Sequence, residues 1–345
     1  MREIIGWDVG GAHLKAARVE DGVVTAAVQR PCPLWLGLGE LDRAFAQAEA
    51  EIGRAGLNVM TMTGEQTDAF ATRAEGVAGL AVAAASLLAP GRTLVYGARA
   101  GFIEVDAARN HADDIASANW HASAALVATR LPEALFVDMG SSTTDLIAVA
   151  AGAPASLGFS DAGRLEHGEL VYTGLSRTFL MAGPARVPFG GRWSGLMNEW
   201  FADMADVGRI LGRLPPGADG MDTPDGREKT PQASMARLAR MLGRDGGESE
   251  EGAWRGLAAF LAEAQLREIM DAAFLILSRG ILGGAAPIVG AGVGRGVIEE
   301  LARRLGRPFV PFDALIEASA GARARAADCA PAAALALLAS RQLRA

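Results

Sequence analysis

The first part of the chain alternates apolar and polar positions in a pattern that predicts strands joined by tight turns. An apolar run ends at Asp8 and a glycine pair, and the next segment, HLKAARV, alternates again. The dipeptide Asp21-Gly22 between two such runs is a strong hairpin signal. We therefore expect strand, turn, strand, turn and strand at the N-terminus.

The pattern then changes to helical spacing. Apolar residues recur one and two turns apart in LGELDRAFAQAEAEIGRAG, at Leu41, Phe45, Ala48 and Ile52. The segment NVMTMTGEQTDAF predicts a strand that runs into a polar loop. The stretch from Asp113 to Arg130 predicts one helix, which closes the first half of the chain at Pro132.

At Ala134 the opening pattern begins again. The segment ALFVDMGSSTTDLIAV reads as a buried strand, an acid, a glycine turn and a second strand. Two such units indicate a duplicated α/β fold whose halves face each other across a central cleft. We expect an N-terminal domain over residues 1–131 and a C-terminal domain over residues 132–345. An irregular insertion with short amphipathic helices is expected at about residues 160–250 of the second domain.

Composition excludes several classes of function. The net charge of −7 argues against a nucleic-acid or anionic-membrane partner, because both require a basic face. Cys32 and Cys329 stand far apart without a CxxC motif, so neither a disulfide framework nor a zinc site is predicted. The N-terminus lacks the apolar run of a signal peptide, and AGLAVAAASLLAPG is too short to span a bilayer. We expect a cytoplasmic protein that acts on small molecules, and a homo-oligomer is compatible with the sequence.

The first glycine turn carries candidate anion-binding chemistry. Gly10 and Gly11 allow backbone N–H groups to approach a phosphate, and Lys15 on the return strand adds a point charge. Asp8 would repel phosphate directly, so its sensible role is to hold a hydrated Mg²⁺ that bridges to the phosphate. An ordinary hairpin would explain the glycines, although it would not explain Asp8 and Lys15 together.

The second turn is unusually rich in hydroxyl groups between two carboxylates. Hydroxyls and backbone donors suit a second phosphate group, and the acids could share the same metal ion; the residues are Asp138, Gly140, Ser141, Ser142, Thr143, Thr144 and Asp145. The alternative is a Ser/Thr-rich turn with local side-chain caps. The duplication favours the phosphate interpretation, because a folded repeat brings both turns to one cleft.

Further candidates follow in the second half. Tyr172, Thr173 and Arg177 form a polar cluster after a strand, where Arg177 or Arg164 could clamp a phosphate, unless each arginine is simply exposed. A third glycine turn, which includes Gly290 and Gly292, does not fit the dinucleotide fingerprint. A turn at a helix N-terminus still favours anions, although a simple strand-to-helix turn explains it equally well.

The three glycine turns, in this order, resemble the phosphate 1, phosphate 2 and adenosine turns of the sugar kinase/Hsp70/actin superfamily. Within it the chain is similar to the hydantoinase A/oxoprolinase group, and most of all to proteins linked to tetrahydromethanopterin-dependent C1 transfer. The stretches that carry this similarity include WDVGGAHLKAA, MTGEQTDAFATRAEGV, SANWHASA and FVDMGSSTTDLI. The resemblance implies duplicated actin-like (ribonuclease H-like) domains that face a central cleft.

The resemblance also implies an activity. Members of the group include a transferase of methanofuran biosynthesis, which joins (5-(aminomethyl)furan-3-yl)methyl diphosphate to the phenol oxygen of tyramine or γ-glutamyltyramine and releases diphosphate. On this interpretation Lys15 and Asp138 assist catalysis at the diphosphate, and Glu65 or Asp68 takes the phenol proton, unless these two are surface caps. Trp120 and Trp193 could stack on substrate rings, although packing explains both.

Two other functions remain open from the sequence. One is an ATP-dependent hydrolase of the hydantoinase/oxoprolinase type, or a kinase, with ATP in the cleft. The other is a nucleotide-binding regulatory module of the ATPase type, whose output is a conformational change. The insertion also offers candidates for binding an acceptor or an amine. These are its carboxylates Asp203, Asp206, Asp222 and Asp225, and Lys229.

Overall fold

The strand pattern of the N-terminus builds the centre of a mixed sheet in the computed structural model, which describes residues 3–343. The sheet has the order β3-β2-β1-β4-β5-β6, in which β1 pairs antiparallel with β2 and parallel with β4. Its strands are β1 (Glu3–Val9), β2 (His13–Glu20), β3 (Val23–Pro31), β4 (Leu57–Met62), β5 (Arg92–Gly97) and β6 (Gly101–Glu104). Asp21 and Gly22, both with positive φ, form the predicted turn between β2 and β3.

The second half repeats this arrangement. Its sheet has the order β10-β8-β7-β13-β14, with antiparallel β7 and β8 at the positions of β1 and β2, and β9 pairs with β8. The strands are β7 (Ala134–Met139), β8 (Thr144–Ala150), β9 (Ala153–Pro154), β10 (Leu170–Val171), β13 (Ile288–Ala291) and β14 (Phe309–Pro311). The predicted α/β fold of duplicated actin-like domains is confirmed by this repeated strand order.

Helices cover both faces of the two sheets. On the first sheet lie α1 (Gly39–Ile52), α2 (Arg73–Leu87) and α3 (Ala112–Ile115), and on the second lie α5 (Asp161–Glu166), α8 (Glu251–Leu277) and α9 (Arg295–Arg304). Between the sheets lie α4 (Asn119–Ala128), α10 (Arg323–Asp328) and α11 (Ala330–Gln342). Short 3₁₀ helices cover Leu34–Leu36, Val105–His111, Leu180–Ala182, Gly246–Glu248 and Phe312–Ala314.

The two halves share their central core. The alanine-rich helix α11 packs on β1 and β4 of the first sheet, whereas α4 packs on β7 and β8 of the second. Gly6 permits this close approach, because a Cβ there would lie 2.0 Å from the carbonyl oxygen of Ala332. The boundary expected between residues 131 and 132 falls in the loop between α4 and β7, so each half contributes a helix to the other half's sheet.

The insertion forms a separate packed layer. It contains β11 (Arg186–Phe189), β12 (Arg192–Gly195), α6 (Met204–Leu211) and α7 (Pro231–Arg240), which pack on the first half of α8. Asp206 and Asp225 both pair with the buried guanidinium of Arg237, and Lys229 lies 3.5 Å from Asp219. These charges therefore hold the insertion together rather than lining the cleft.

The prediction of one helix from Asp113 to Arg130 is wrong. The helix is broken between α3 and α4 at Ser117, whose φ of 53° is left-handed. The break lets the Ser117 hydroxyl donate to Glu65 at 2.9 Å and to Asp161 at 3.1 Å. A tertiary contact across the cleft thus overrides the helical preference of the segment.

No helix within residues 3–343 has the length and apolar character needed to cross a bilayer.

Candidate functional site

The two predicted phosphate turns are copies of one structure. In the first, the Gly10 N–H donates to the His13 carbonyl at 3.0 Å, and in the second the Gly140 N–H donates to the Thr143 carbonyl at 2.9 Å. Each turn joins the first two strands of its sheet. The same backbone hydrogen bond therefore closes the turn in both halves.

Both turns present free backbone donors. Within residues 3–343, no acceptor is found for the backbone N–H groups of Gly11, Ala12, Ser141, Ser142 and Thr143. The carbonyls on the opposite side of the first turn are used, since Gly11 accepts from the Leu34 N–H at 3.1 Å and Ala12 from the Cys32 N–H at 2.8 Å. Consecutive free N–H groups of this kind form a nest for anions.

The turns face each other across one cavity of about 480 Å³ between the two halves. Its walls include Asp8, Gly10, Gly11, His13, Lys15, Trp35, Gln66, Ser117, Asn119, Gly140, Ser141, Ser142, Thr143, Asp145, Asp161, Arg164, Tyr172 and Arg177. The structure thus brings both predicted turns, Lys15 and Arg177 to a single site.

Lys15 lies among three buried carboxylates at the base of the cavity. Its Nζ is 3.9 Å from Asp8, its cross-strand partner, while Asp138 stands opposite Asp145 in the second hairpin. Burial lowers the pKa of Lys15, but the surrounding carboxylates outweigh it and raise that pKa. Burial raises the pKa of Asp138 to about 7, with Lys15 opposing and the other two acids adding to the rise. Lys15 is therefore charged at neutral pH, and the pKa of Asp138 lies near neutral pH.

Asp145 is committed to a buried arginine. Arg164 donates to it in a short ion pair, and the guanidinium lies 4.6 Å from the centre of the Trp120 ring. Burial raises the pKa of Asp145 and Arg164 lowers it. Arg164 and Trp120 are both almost fully buried. Trp120 is thus a packing residue, and Arg164, which also belongs to the cavity wall, is ion-paired with Asp145.

Arg177 links the second turn to an aromatic residue of the first half. Its Nη1 donates to the Ser142 hydroxyl at 3.0 Å, and its guanidinium lies 5.3 Å from the centre of the Trp35 ring. Trp35 is 47% exposed and Tyr172 is 72% exposed, and both belong to the cavity wall. An arginine and two aromatic rings therefore surround the mouth of the cavity.

Some predicted phosphate-binding residues support the second turn from behind. The Thr144 hydroxyl, fully buried, donates to the Thr173 carbonyl at 2.7 Å, and the Thr173 hydroxyl accepts from Gln265. Gly174 fits beneath the turn, where a Cβ would lie 2.4 Å from the Ser142 nitrogen. Thr144 and Thr173 thus brace the donors rather than join the cavity wall within the described residues.

The third glycine turn lies beside the cavity rather than in its wall. Gly290 is in β13, where a Cβ would lie 2.5 Å from the Phe309 ring. Gly292 has φ of +80°, and a Cβ there would lie 2.3 Å from the Met139 carbonyl and 2.4 Å from the Asp138 carboxylate. In the described chain these glycines allow close packing against the acid of the second hairpin.

The two candidate bases occupy different environments. Glu65 is buried, accepts from Ser117, and has a pKa raised by burial, with one carboxylate oxygen lacking a partner in residues 3–343. Asp68 is exposed on the same loop. Neither belongs to the cavity wall among the described residues, so neither reaches a ligand there without rearrangement.

His13 is a cavity residue with unusual electrostatics. It is 8% exposed, and within residues 3–343 its Nε2 has no hydrogen-bond partner and faces Gly220 of the insertion. Burial, together with the charges of Lys15 and Arg177, lowers the pKa of His13 to about 4. The imidazole is therefore neutral at neutral pH.

Asp161 joins the two halves at the side of the cavity. Its carboxylate accepts from Gln66 at 2.6 Å, from Arg73 at 2.9 Å and from Ser117, all of which belong to the first half. Sequence reasoning missed Asp161 and Trp35. For Gln66, Ser117 and Asn119 a signal existed, since Gln66 lies in the family stretch MTGEQTDAFATRAEGV and the other two lie in SANWHASA.

The acidic residues are compatible with a magnesium ion held through few protein ligands. Asp8 has a buried carboxylate oxygen without a partner in the described chain, and Asp138 lies close enough to interact with it electrostatically. Residues 3–343 contain no group of three or more His, Cys, Asp or Glu arranged around a metal position. Mg²⁺ commonly binds through one or two carboxylates, waters and substrate phosphate, a set that Asp8 in the cavity wall, with Asp138 near it, could supply.

Comparisons with known proteins agree with the sequence resemblance. A family model described as hydantoinase/oxoprolinase matches residues 57–328. The (4-{4-[2-(γ-L-glutamylamino)ethyl]phenoxymethyl}furan-2-yl)methanamine synthase of Methanocaldococcus jannaschii is 29% identical over 244 residues, which cover 70% of this chain and 72% of that protein. The synthase of the same name from Methanococcus vannielii is 33% identical over 111 residues, or 32% of this chain and 50% of that protein.

A solved structure shows the same fold. Nucleotide-free acetone carboxylase, from work on ATP-dependent acetone carboxylation, superposes with a TM-score of 0.55 over 96% of this chain and 70% of that chain. The two sequences are 12% identical, so this likeness concerns the fold alone.

Proposed function

The chain belongs to the hydantoinase/oxoprolinase family, and on this premise we propose that it is a transferase of methanofuran biosynthesis. The reaction joins (5-(aminomethyl)furan-3-yl)methyl diphosphate to the phenol oxygen of tyramine or γ-glutamyltyramine and releases diphosphate. The names of the two relatives describe a product with this phenoxymethylfuran linkage, which supports the proposal.

One observation in the structure carries the proposal. Two copies of a donor-rich turn face one cavity, together with the cationic groups of Lys15 and Arg177. A diphosphate offers two phosphoryl groups, which match two turns, and its negative charge is complementary to the two cations.

The same groups suit departure of diphosphate. As the bond between the furan methylene and the diphosphate oxygen breaks, negative charge grows on the leaving group. Backbone donors and cations that are already in place stabilise this charge without reorganisation. Serine and threonine hydroxyls at Ser141, Ser142 and Thr143 add further donors around the second phosphoryl group.

We include Mg²⁺ in the proposal as a bound cofactor. Asp8 and Asp138 would hold it, and when bound it would neutralise charge on the diphosphate. Lys15 supplies a fixed positive charge between the same carboxylates whether or not the ion is bound.

The test is a substrate-pair assay on the purified protein with Mg²⁺. We expect diphosphate release that depends on the phenol, together with an ether product of the expected mass. Free tyramine and γ-glutamyltyramine are compared in parallel as acceptors. ATP turnover without phenol-dependent diphosphate release would instead favour the ATP-dependent hydrolase or kinase.

A further inference from the structure

Trp35 connects the two phosphate turns of the cavity. The 3₁₀ helix that carries it follows β3, and the adjoining backbone donates to the first turn, from Leu34 to Gly11 and from Cys32 to Ala12. Buried Leu34 anchors this helix, whereas the neighbouring Trp35 is 47% exposed. The position of the indole is therefore set by the backbone of the first turn.

On its other side Trp35 meets the second turn through Arg177. The guanidinium lies 5.3 Å from the ring centre and also donates to Ser142. A cation over an indole face shows that this face is suited to positive charge. Trp35 lines the same cavity as both turns, so a ligand whose phosphates occupy the turns has this ring within its binding site.

We propose that Trp35 forms the subsite for the furan ring and stabilises the positive charge that develops on its methylene carbon. This inference rests on the proposed function and adds a residue to it. In the reaction the methylene–oxygen bond breaks with its electron pair leaving on diphosphate, which Arg177 and the turns receive. A lone pair of the phenol oxygen forms the new bond to the methylene carbon, and the phenol proton passes to water in the cavity, which is open at Tyr172.

The charge distribution fits this division of roles. Negative charge moves toward the turns, Lys15 and Arg177, whereas positive charge remains on carbon next to the electron-rich indole face. The ring meets positive charge on the substrate only while the bond is breaking, so the effect of Trp35 is expected on kcat more than on binding of the diphosphate.

The chain offers a matched control residue. Trp193 is 59% exposed and has the Arg186 guanidinium 5.0 Å from its ring centre, as Trp35 has Arg177. In the described chain Trp193 lies in β12 of the insertion and is not part of the cavity wall. Replacement of either residue removes the same kind of contact, but only Trp35 can affect a ligand.

The experiment measures phenol-dependent diphosphate release by Trp35→Leu, Trp35→Phe and Trp193→Leu. We expect Trp35→Leu to lower kcat about tenfold or more, while Trp35→Phe keeps most of the activity and Trp193→Leu keeps all of it. Calorimetry with inorganic diphosphate should give wild-type affinity for all three, which shows that the turns are intact.

Fluorinated tryptophans separate charge stabilisation from shape. In the wild-type chain, log kcat should fall with each fluorine added to the tryptophan rings. In Trp35→Phe, which carries the same fluorinated tryptophans at all other positions, log kcat should stay constant. Equal slopes in the two chains, or a kcat of Trp35→Leu equal to that of Trp193→Leu, would overturn the subsite. Absence of phenol-dependent release in the wild type would instead overturn the proposed function, and the subsite with it.

Discussion

Lys15 occupies, in the first hairpin, the position that Asp145 occupies in the second. Lys15 stands opposite Asp8 across β1 and β2, and Asp145 stands opposite Asp138 across β7 and β8. The repeat therefore keeps its acid in both copies but changes the charge of the partner. This difference places Lys15 against Asp8 and within electrostatic reach of Asp138, whereas Asp145 is paired with Arg164.

Lys15→Met should destabilise the protein at about pH 8, because buried carboxylates left without a cation cost about 3–5 kcal/mol. The loss should shrink as pH falls. Asp138 already has a pKa raised to about 7, above its unfolded value, so the folded state binds protons more tightly and gains stability at lower pH. Thermal unfolding over a pH series measures both effects. Adding Asp138→Asn to Lys15→Met should recover part of the stability, and a variant with the wild-type pH profile would contradict this account.

Gly292→Ala should destabilise the second half strongly. Gly292 has a positive φ, and a Cβ there would meet the Met139 carbonyl and the Asp138 carboxylate at less than van der Waals distance. We expect a loss of about 2–4 kcal/mol by chemical denaturation. Gly296→Ala is the control, because a Cβ there meets nothing within 4 Å and the residue lies in α9. Its stability should change by less than about 1 kcal/mol.

Asp161→Ala should weaken the contact between the two halves at the side of the cavity. The Asp161 carboxylate accepts from Gln66, Arg73 and Ser117 across the two halves, and its removal leaves these donors without that acceptor. We expect a several-fold higher KM for the diphosphate substrate, since a loss of about 1 kcal/mol in substrate binding corresponds to about a fivefold change. Glu166→Ala, on the same helix, is the control. Equal KM values for the two variants would remove Asp161 from this role.

The contribution of His121 to stability should fall as pH decreases from about 6.5 to about 4, opposite in sign to the contribution of Asp138. Burial lowers the pKa of His121, whose Nδ1 lies 2.9 Å from the Tyr96 hydroxyl, to about 4. The unfolded histidine binds a proton more tightly than the folded one, so acid favours unfolding in this window by up to about 3 kcal/mol. His121→Gln, which does not titrate, should remove this contribution, so its stability relative to the wild type should rise as pH falls through the window. Exposed His111→Gln should leave the wild-type pH dependence unchanged. Denaturation midpoints across the window provide the measurement.

The family and the duplicated fold could be predicted from the sequence because their determinants are local. Alternation around Asp8 and Asp138 specifies two similar hairpins, and a glycine follows each of these acids at the same spacing, at Gly10 and Gly140. Each of these features depends on residues close together in the chain. The roles of Glu65, Asp68 and a magnesium ion stay predictions.

Only the tertiary structure decided which side chains face the cavity. Trp35, Asp161 and Ser117 reach it from separate segments, and the break at Ser117 exists because its hydroxyl meets Glu65 and Asp161. The packing of α11 on the first sheet likewise depends on Gly6, far away in sequence. Local sequence patterns determine strands and turns through backbone preferences. Contacts between distant segments depend on burial and charge balance in the folded chain, and no single segment encodes these contacts.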